Sequence, residues 1–131
     1  MIANNSAGTR SVVYGKTLDY VQELTVVLAD GSIVNLRPLE PHELADKMAQ
    51  TDLEGDCYRV VRQLASTHED EIRRRYPRIL RRVGGYNLDA FIPSSQPFNL
   101  CRLLVGSEGT LGLTVEAKLR LAPLPTTRVV C

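Results

Sequence analysis

Two runs of apolar and β-branched residues, Leu18 to Leu28 and Ile33 to Leu36, flank Ala29-Asp30-Gly31-Ser32. Short β-prone runs separated by a glycine-bearing polar turn predict a β-hairpin. Pro38 and Pro41 then interrupt the sheet pattern. Pro41 stands where a first helical turn tolerates it, so a short helix is expected over His42 to Gln50. Thr51, with Glu54 three residues later, has the form of a capping box. Beyond it Cys57, Val60, Val61, Leu64, Ala65, His68 and Ile72 recur at spacings of three and four, which predicts one long amphipathic helix ending near Tyr76-Pro77.

From Pro77 to Leu100 prolines, glycines, serines and asparagines are mixed with isolated hydrophobes, the pattern of an ordered but irregular crossover with a helical turn. The stretch from Arg102 to Leu124 starts as a glycine-punctuated loop. Leu113, Val115, Ala117, Leu119 and Leu121 then alternate with Thr114, Glu116, Lys118 and Arg120, which predicts a half-buried antiparallel strand. Strands, then helices, then a returning strand, without βαβ alternation, predict an α+β fold: a small antiparallel sheet with helices packed on one face. No internal repeat interrupts this order.

Composition narrows the function more than the fold. The 131 residues, 44% of them hydrophobic, amount to one domain able to bury a core. Sixteen basic and fifteen acidic residues give a net charge of +1, and aromatics make up 5%, so neither a global field nor stacking platforms favour nucleic acid. No apolar run approaches the ~20 residues of a membrane span, and the first residues lack the basic-then-apolar order of a signal peptide, so a soluble protein is expected. Cys57, Cys101 and Cys131 are widely spaced and odd in number. They fit neither a disulfide framework nor a metal or iron–sulfur ligand set and read as reduced cytoplasmic thiols.

Candidate chemistry concentrates in two loops. The first eight residues, MIANNSAG, run from an apolar start into Asn4, Asn5, Ser6, Ala7 and Gly8; the second, VGSEGTLG, spans residues 105 to 112. Glycines without Cβ atoms let successive amides converge on anionic oxygens, while Asn and Ser add neutral donors, so a phosphate-rich cofactor suits such loops. Each loop alone also reads as an ordinary tight turn.

Their order along the chain is more specific. Ala3-Asn4-Asn5-Ser6-Ala7-Gly8, then Tyr14-Gly15, then LTVVLADGSIV at 24 to 34, then Gly106-Ser107-Glu108-Gly109-Thr110-Leu111-Gly112 lead into the last strand. In that order the chain resembles the FAD-linked oxidases, with their PCMH-type flavin-binding domain, the superfamily of vanillyl-alcohol oxidase and the D-2-hydroxyacid dehydrogenases. The resemblance covers nearly the whole chain, and RRVGGYNLDAFIP looks closest to the branch in which the flavin domain is fused to an iron–sulfur module.

The resemblance implies FAD as cofactor and hydride transfer from a 2-hydroxy acid, such as D-lactate, glycolate or 2-hydroxyglutarate, to flavin N5. It places Asn4, Asn5, Ser6, Gly8, Tyr14 and Gly15 along the isoalloxazine and pyrophosphate, with Gly106, Ser107, Glu108, Gly109, Thr110, Leu111 and Gly112 around the cofactor's other contacts. Tyr14 also reads as a core aromatic, and Glu108 as a cap on its own loop's amides.

The family's upstream pyrophosphate loop, its substrate-cap domain and any iron–sulfur cysteine cluster are not found in residues 1 to 131. The expectation is therefore a fragment, the second part of a flavin-binding domain, with its partners in the parent enzyme's other domains. Alone it is expected to be inactive, to bind FAD weakly or not at all, and to risk self-association through a former interface. The rival is a non-catalytic interaction or regulatory module that keeps the fold without the cofactor, marked by Asn4 and Asn5 bonded internally. A small phosphate-ligand domain is a third reading.

Arg73, Arg74, Arg75, Arg78, Arg81 and Arg82 follow Glu69-Asp70-Glu71 and read as a solvated helix end, with docking of a partner domain or of an acidic substrate group as the sharper alternative. His42 and His68 belong to no triad or metal set, and Cys57 reads as a small core residue.

Overall fold

The structure, a computed structural model, describes residues 1–92 and 97–123; Cys131, Leu124 and part of the Pro77 to Leu100 crossover lie outside the described residues. Its sheet has three antiparallel strands, β1 (Val21–Val27), β2 (Ile33–Leu36) and β3 (Leu113–Leu119), in the order β2-β1-β3. The hairpin forms where it is expected, although Thr17–Asp19 is a turn of 3-10 helix rather than strand. In its turn Gly31 takes φ 84°, and the Asp30 carboxylate accepts from the Ser32 N–H at 3.0 Å and hydroxyl at 2.6 Å, a local bond typical of aspartate in turns.

Helices α1 (Ser11–Tyr14), α2 (Pro41–Ala49), α3 (Leu53–Thr67), α4 (Glu69–Arg75) and α5 (Cys101–Leu104) complete the α+β fold. Leu24 and Val26 of β1, with Val34 and Leu36 of β2, meet Leu44 of α2, Tyr58, Val61 and Ala65 of α3, and Cys101 and Leu104 of α5 in one buried cluster. Leu24, Val26 and Tyr58 are fully covered. Leu39 N–H donates to the Phe98 carbonyl at 2.9 Å, tying the end of the crossover to the exit of β2. Leu88–Phe91 supplies the helical turn expected in the crossover.

Three expectations need correction. The single long helix is two: at His68, φ −111° and ψ 22° break the helical path, although His68 still donates to Leu64 O and accepts from Ile72 N–H. The break sets Glu69, Asp70 and Glu71 at a new helix start and Arg73, Arg74 and Arg75 at its end, each favourable with the helix dipole. The buried stripe is Tyr58, Val61, Ala65 and Ile72, whereas Val60, Leu64 and His68 are exposed. Second, the α3 cap is Asp52, whose carboxylate accepts from Gly55 N–H at 2.9 Å, while Glu54 pairs with Lys47 at 2.6 Å. An aspartate one residue further on supplies the N-cap acceptor in place of Thr51.

Third, β3 is not half-buried. Leu113 is 69% exposed and Val115 63%, and Ala117 alone is partly covered within the strand. The register explains this. Thr25 pairs with Glu116 but Val26 with Thr114, so the ladder skips Val115; a second irregularity separates the Val21–Leu119 and Glu23–Lys118 pairs. A bulge inverts which residues share a face, so Ala117 lies opposite core-facing Leu24 while Leu113 lies opposite Val27.

A candidate cofactor half-site where two glycine loops meet

The opening residues fold back on themselves. Asn5 takes φ 46°, its N–H donates to Ile2 O at 3.1 Å, and Ser6 N–H donates to Met1 O at 3.2 Å. Asparagine tolerates this left-handed conformation better than most residues. Its side chain is fully buried: Oδ1 accepts from Leu18 N–H at 3.0 Å, and Nδ2 has no partner. Ser6 Oγ donates to Asn4 Oδ1 at 2.8 Å, and Ser6 O accepts from Thr17 N–H at 3.1 Å and Thr17 Oγ1 at 2.9 Å. The loop is thereby pinned to the 3-10 turn that leads into β1.

Gly8 O then accepts from Ser11 N–H at 3.0 Å, opening α1; Ser11 Oγ is buried without a partner. Tyr14 is half-buried at the end of α1. Gly15 follows at φ 80°, and a Cβ there would lie 2.4 Å from Asp19 Oδ2, the atom that accepts from Lys16 N–H at 2.7 Å. The close approach that demands Gly15 is thus to Asp19.

The second loop leaves α5 through three left-handed residues, Gly106 (φ 87°), Glu108 (φ 54°) and Gly109 (φ 80°). Gly106 N–H donates to Ile2 O at 3.1 Å, and Glu108 N–H donates to Ala3 O at 2.8 Å. These two bonds join the loops directly. Ser107 is buried, and its carbonyl accepts from Thr110 N–H at 3.1 Å and Thr110 Oγ1 at 2.6 Å. Leu111 packs against the core cluster, and a Cβ on Gly112 would meet Val26 Cγ1 at 2.7 Å, so that glycine serves the approach to β1.

Of the residues singled out in the sequence, Asn5 is therefore brought against Gly106, while Gly106 and Glu108 bond the residues just ahead of Asn4. Tyr14 and Gly15 attach to this junction through α1 and the Thr17–Asp19 turn, while Leu111 and Gly112 turn toward the core. The amides of Asn4, Ala7, Gly8 and Gly109 have no hydrogen-bond partner among the described residues. Nothing lies within 4 Å of where a Cβ on Gly8 or Gly109 would sit. Such open, neutral donors can take anionic or carbonyl oxygens without burying a charge.

Two residues of this junction escape the sequence reading. Asn87 is buried beside Gly106, and Tyr86 reaches Thr110. Their signal was a Gly-Gly-Tyr-Asn run whose asparagine, set among turn-forming residues, looks solvated until the fold covers it.

Two clefts lie away from the loops. One, of about 950 Å³, runs between α2, α3 and the Leu88–Phe91 turn past Leu44, Met48 and Phe98. The other, of about 400 Å³, is bordered by Lys16, Arg73, Tyr76, Arg78 and Arg82. In it the Arg82 guanidinium stacks on Tyr76 at 4.7 Å and bonds both oxygens of Asp89, so its charge is compensated within the fold. Among the described residues no helix is long and apolar enough to cross a membrane, and no cluster of His, Cys, Asp and Glu is arranged to hold a metal ion.

A family model described as an FAD binding domain matches residues 1–37, which include the first loop and the hairpin. The chain is 42% identical over 130 residues to a D-2-hydroxyglutarate dehydrogenase of Pantoea ananatis, an alignment that covers 98% of this chain and 13% of that protein. A D-2-hydroxyglutarate dehydrogenase of Escherichia coli is 37% identical over 130 residues, with the same 98% and 13% covered. A D-lactate dehydrogenase of Archaeoglobus fulgidus is 30% identical over 123 residues, covering 94% of this chain and 16% of that protein. The chain thus spans between an eighth and a sixth of the length of these relatives. The first glycine loop lies within the residues that match the FAD binding domain, and nearly the whole chain is similar to a stretch of these FAD-linked 2-hydroxy acid dehydrogenases.

Proposed function

We propose that this chain is the portion of an FAD-dependent 2-hydroxy acid oxidoreductase that presents one side of the flavin site, and that its enzymatic activity requires the parent enzyme's other domains. The observation that carries the reading is the junction itself: Gly106 and Glu108 donate to Ile2 and Ala3, joining loops at opposite ends of the chain around unpaired amides. The residues fit the cofactor in kind. The free N–H groups of Asn4, Ala7, Gly8 and Gly109 suit pyrophosphate or flavin carbonyl oxygens, and the unpartnered Asn5 Nδ2 and Ser11 Oγ are further neutral donors at the same loop. Glu108 is the one ionisable group in the second loop and offers an acceptor for a ribose hydroxyl.

When bound, FAD supplies the two-electron acceptor for the hydride on the hydroxyl-bearing carbon of the substrate. The work of this chain is to bind and orient. The substrate-carboxylate groups and proton acceptor belong, in this reading, to the remaining length of the enzyme, as does a cytoplasmic setting consistent with the free thiols of Cys57 and Cys101. The 2-hydroxy acids are taken from the relatives, whose names specify D-2-hydroxyglutarate and D-lactate.

The test is a titration of the ¹⁵N-labelled chain with FAD to millimolar concentration. The expected result is saturable shifts confined to the amides of residues 3–8 and 106–110, with an affinity on the order of 1 mM, equivalent to about 4 kcal/mol. No shift, or shifts elsewhere, would overturn the reading and favour a cofactor-free interaction module. The internal bonds of Asn5 Oδ1 to Leu18 and of Asn4 to Ser6 suit that rival.

A further inference from the structure

We propose that Tyr86 and Asn87 are positioning residues that set the shape of the second glycine loop for the cofactor, making the Gly84-Gly85-Tyr86-Asn87 turn a third wall of the half-site. The inference rests on the flavin reading above and extends it to a segment outside both loops.

Asn87 is 1% exposed. Its Nδ2 donates to Arg102 O at 3.0 Å and Val105 O at 2.8 Å. Two carbonyl partners require an NH₂ group at that position, which fixes the orientation of the carboxamide. These carbonyls lie in the last turn of α5 and just beyond it, where helix geometry leaves carbonyls without intrahelical partners. Asn87 therefore closes the helix end and fixes where the chain departs into Gly106. A Cβ on Gly106 would lie 3.8 Å from Asn87 Nδ2, 3.5 Å from Val83 O and 3.2 Å from Asn5 Cβ, so Gly106 is held between the turn and the first loop.

Tyr86 acts further along. Its hydroxyl lies 2.8 Å from Thr110 Oγ1, which itself donates to Ser107 O at 2.6 Å. The single Thr110 hydroxyl hydrogen is thereby used, so Tyr86 must be the donor. The relay Tyr86 to Thr110 to Ser107 closes the loop over the left-handed pair Glu108 and Gly109. Tyr76 Oη donates to Tyr86 O at 2.7 Å and anchors the turn to the end of α4. The turn thus grips the loop twice, before Gly106 and after Gly109.

Tyr86→Phe is the decisive variant, because the ring is partly exposed and the change removes only the hydroxyl. Hydrogen exchange in the free chain is measured first. Thr110 and Glu108 amides are expected to exchange about five-fold faster, the scale of one ordinary hydrogen bond, while β1 amides are unchanged. Thr110→Val should give the same effect, and the double variant no more than either single one. Unchanged loop exchange, or additive effects, would overturn the brace whatever the flavin data show. The FAD titration is then repeated on Tyr86→Phe, with affinity expected to fall about five-fold. Faster exchange with unaltered FAD affinity would overturn the positioning role while leaving the flavin reading intact. Failure of the unaltered chain to show flavin-induced shifts would overturn the flavin reading and the positioning role with it, leaving the brace to the exchange data. Asn87→Ala is expected to broaden exchange through residues 101–110, and normal exchange there would overturn the part assigned to Asn87.

Discussion

Replacing Gly106 by alanine tests whether the junction of the two loops is built as described. Two costs add. An L-residue at φ 87° is forced into a conformation that costs roughly 1–2 kcal/mol. The new Cβ also arrives 3.2 Å from Asn5 Cβ, and Asn5 is poorly placed to recede, being fully buried with Oδ1 bonded to Leu18 N–H. Overpacking of that kind costs about 1–3 kcal/mol, and the crowded case is expected at the lower half of that range because the overlap is a few tenths of an ångström. The sum is about 2–4 kcal/mol, a large share of the ~5–15 kcal/mol that holds a domain together. Thermal unfolding followed by circular dichroism should show a drop of roughly 8–16 °C, at about 4 °C per kcal/mol for a chain of this length. Gly109→Ala isolates the first cost, since Gly109 has φ 80° but open space around its Cβ position, and its expected loss is about 1–2 kcal/mol. Gly8→Ala, with open space and no left-handed φ, should be nearly neutral. Equal losses for Gly106→Ala and Gly109→Ala, or a milder loss for Gly106→Ala, would refute the packing of the first loop against the second.

Three further outcomes follow from the same geometry. Gly55→Ala in α3 should destabilise by about 2–3 kcal/mol in a denaturant titration despite the ~1 kcal/mol helix-propensity gain, because its Cβ would lie 2.4 Å from the Gln50 carbonyl oxygen; a stabilised variant would contradict that contact. Tyr58 is fully buried with no partner for its hydroxyl, so Tyr58→Phe should raise stability by about 1 kcal/mol, and a loss of that size would show that the hydroxyl is bonded in solution. Glu43 is held at a pKa of about 2, below the ordinary 4.5, by the Arg37 guanidinium and then by Glu40 N–H. Its folded-state value is depressed, so its contribution is present above pH 4.5 and is lost as the pH falls toward 2. A carboxyl-carbon NMR titration should show this, and Arg37→Ala should move the midpoint upward; a Glu43 midpoint near 4.5 in the unaltered chain would refute the pairing.

The hairpin, α2 and the α+β class were legible because each rests on local pattern: β-branched runs about Asp30-Gly31, and a proline at a helix start. What was not legible depends on partners distant in sequence. Val115 sits in unbroken alternation with its neighbours, and only the pairing of Thr25 with Glu116 and Val26 with Thr114 reveals that the ladder skips it. The His68 break is invisible to a period count, since the spacing from Cys57 to Ile72 continues across it and the hydrogen bonds nearly do as well. The glycine loops were readable as a pair through their ordered motifs. Their physical junction was not, nor was the division of labour among their glycines: Gly15 and Gly112 answer to Asp19 and Val26, whereas Gly8 and Gly109 face open space. Asn87 shows the limit most plainly. A polar residue in a turn-rich segment gives no sequence signal of burial, because what buries it, the end of α5, lies more than a dozen residues downstream.

The bonds from Gly106 to Ile2 and from Glu108 to Ala3 also set a timetable for biosynthesis. The first loop leaves the ribosome about a hundred residues ahead of the amides that complete it, an interval of about 5–20 s at ordinary elongation rates. β1 waits similarly for β3, its neighbour on the side away from β2. Until then the far edge of β1 is unpaired and the Ala3 carbonyl lacks the Glu108 N–H that it accepts from. A growing chain therefore completes this junction only after its second loop emerges, and a ribosome stalled between the two loops would hold the β1 edge open to whatever β-prone segment arrives first.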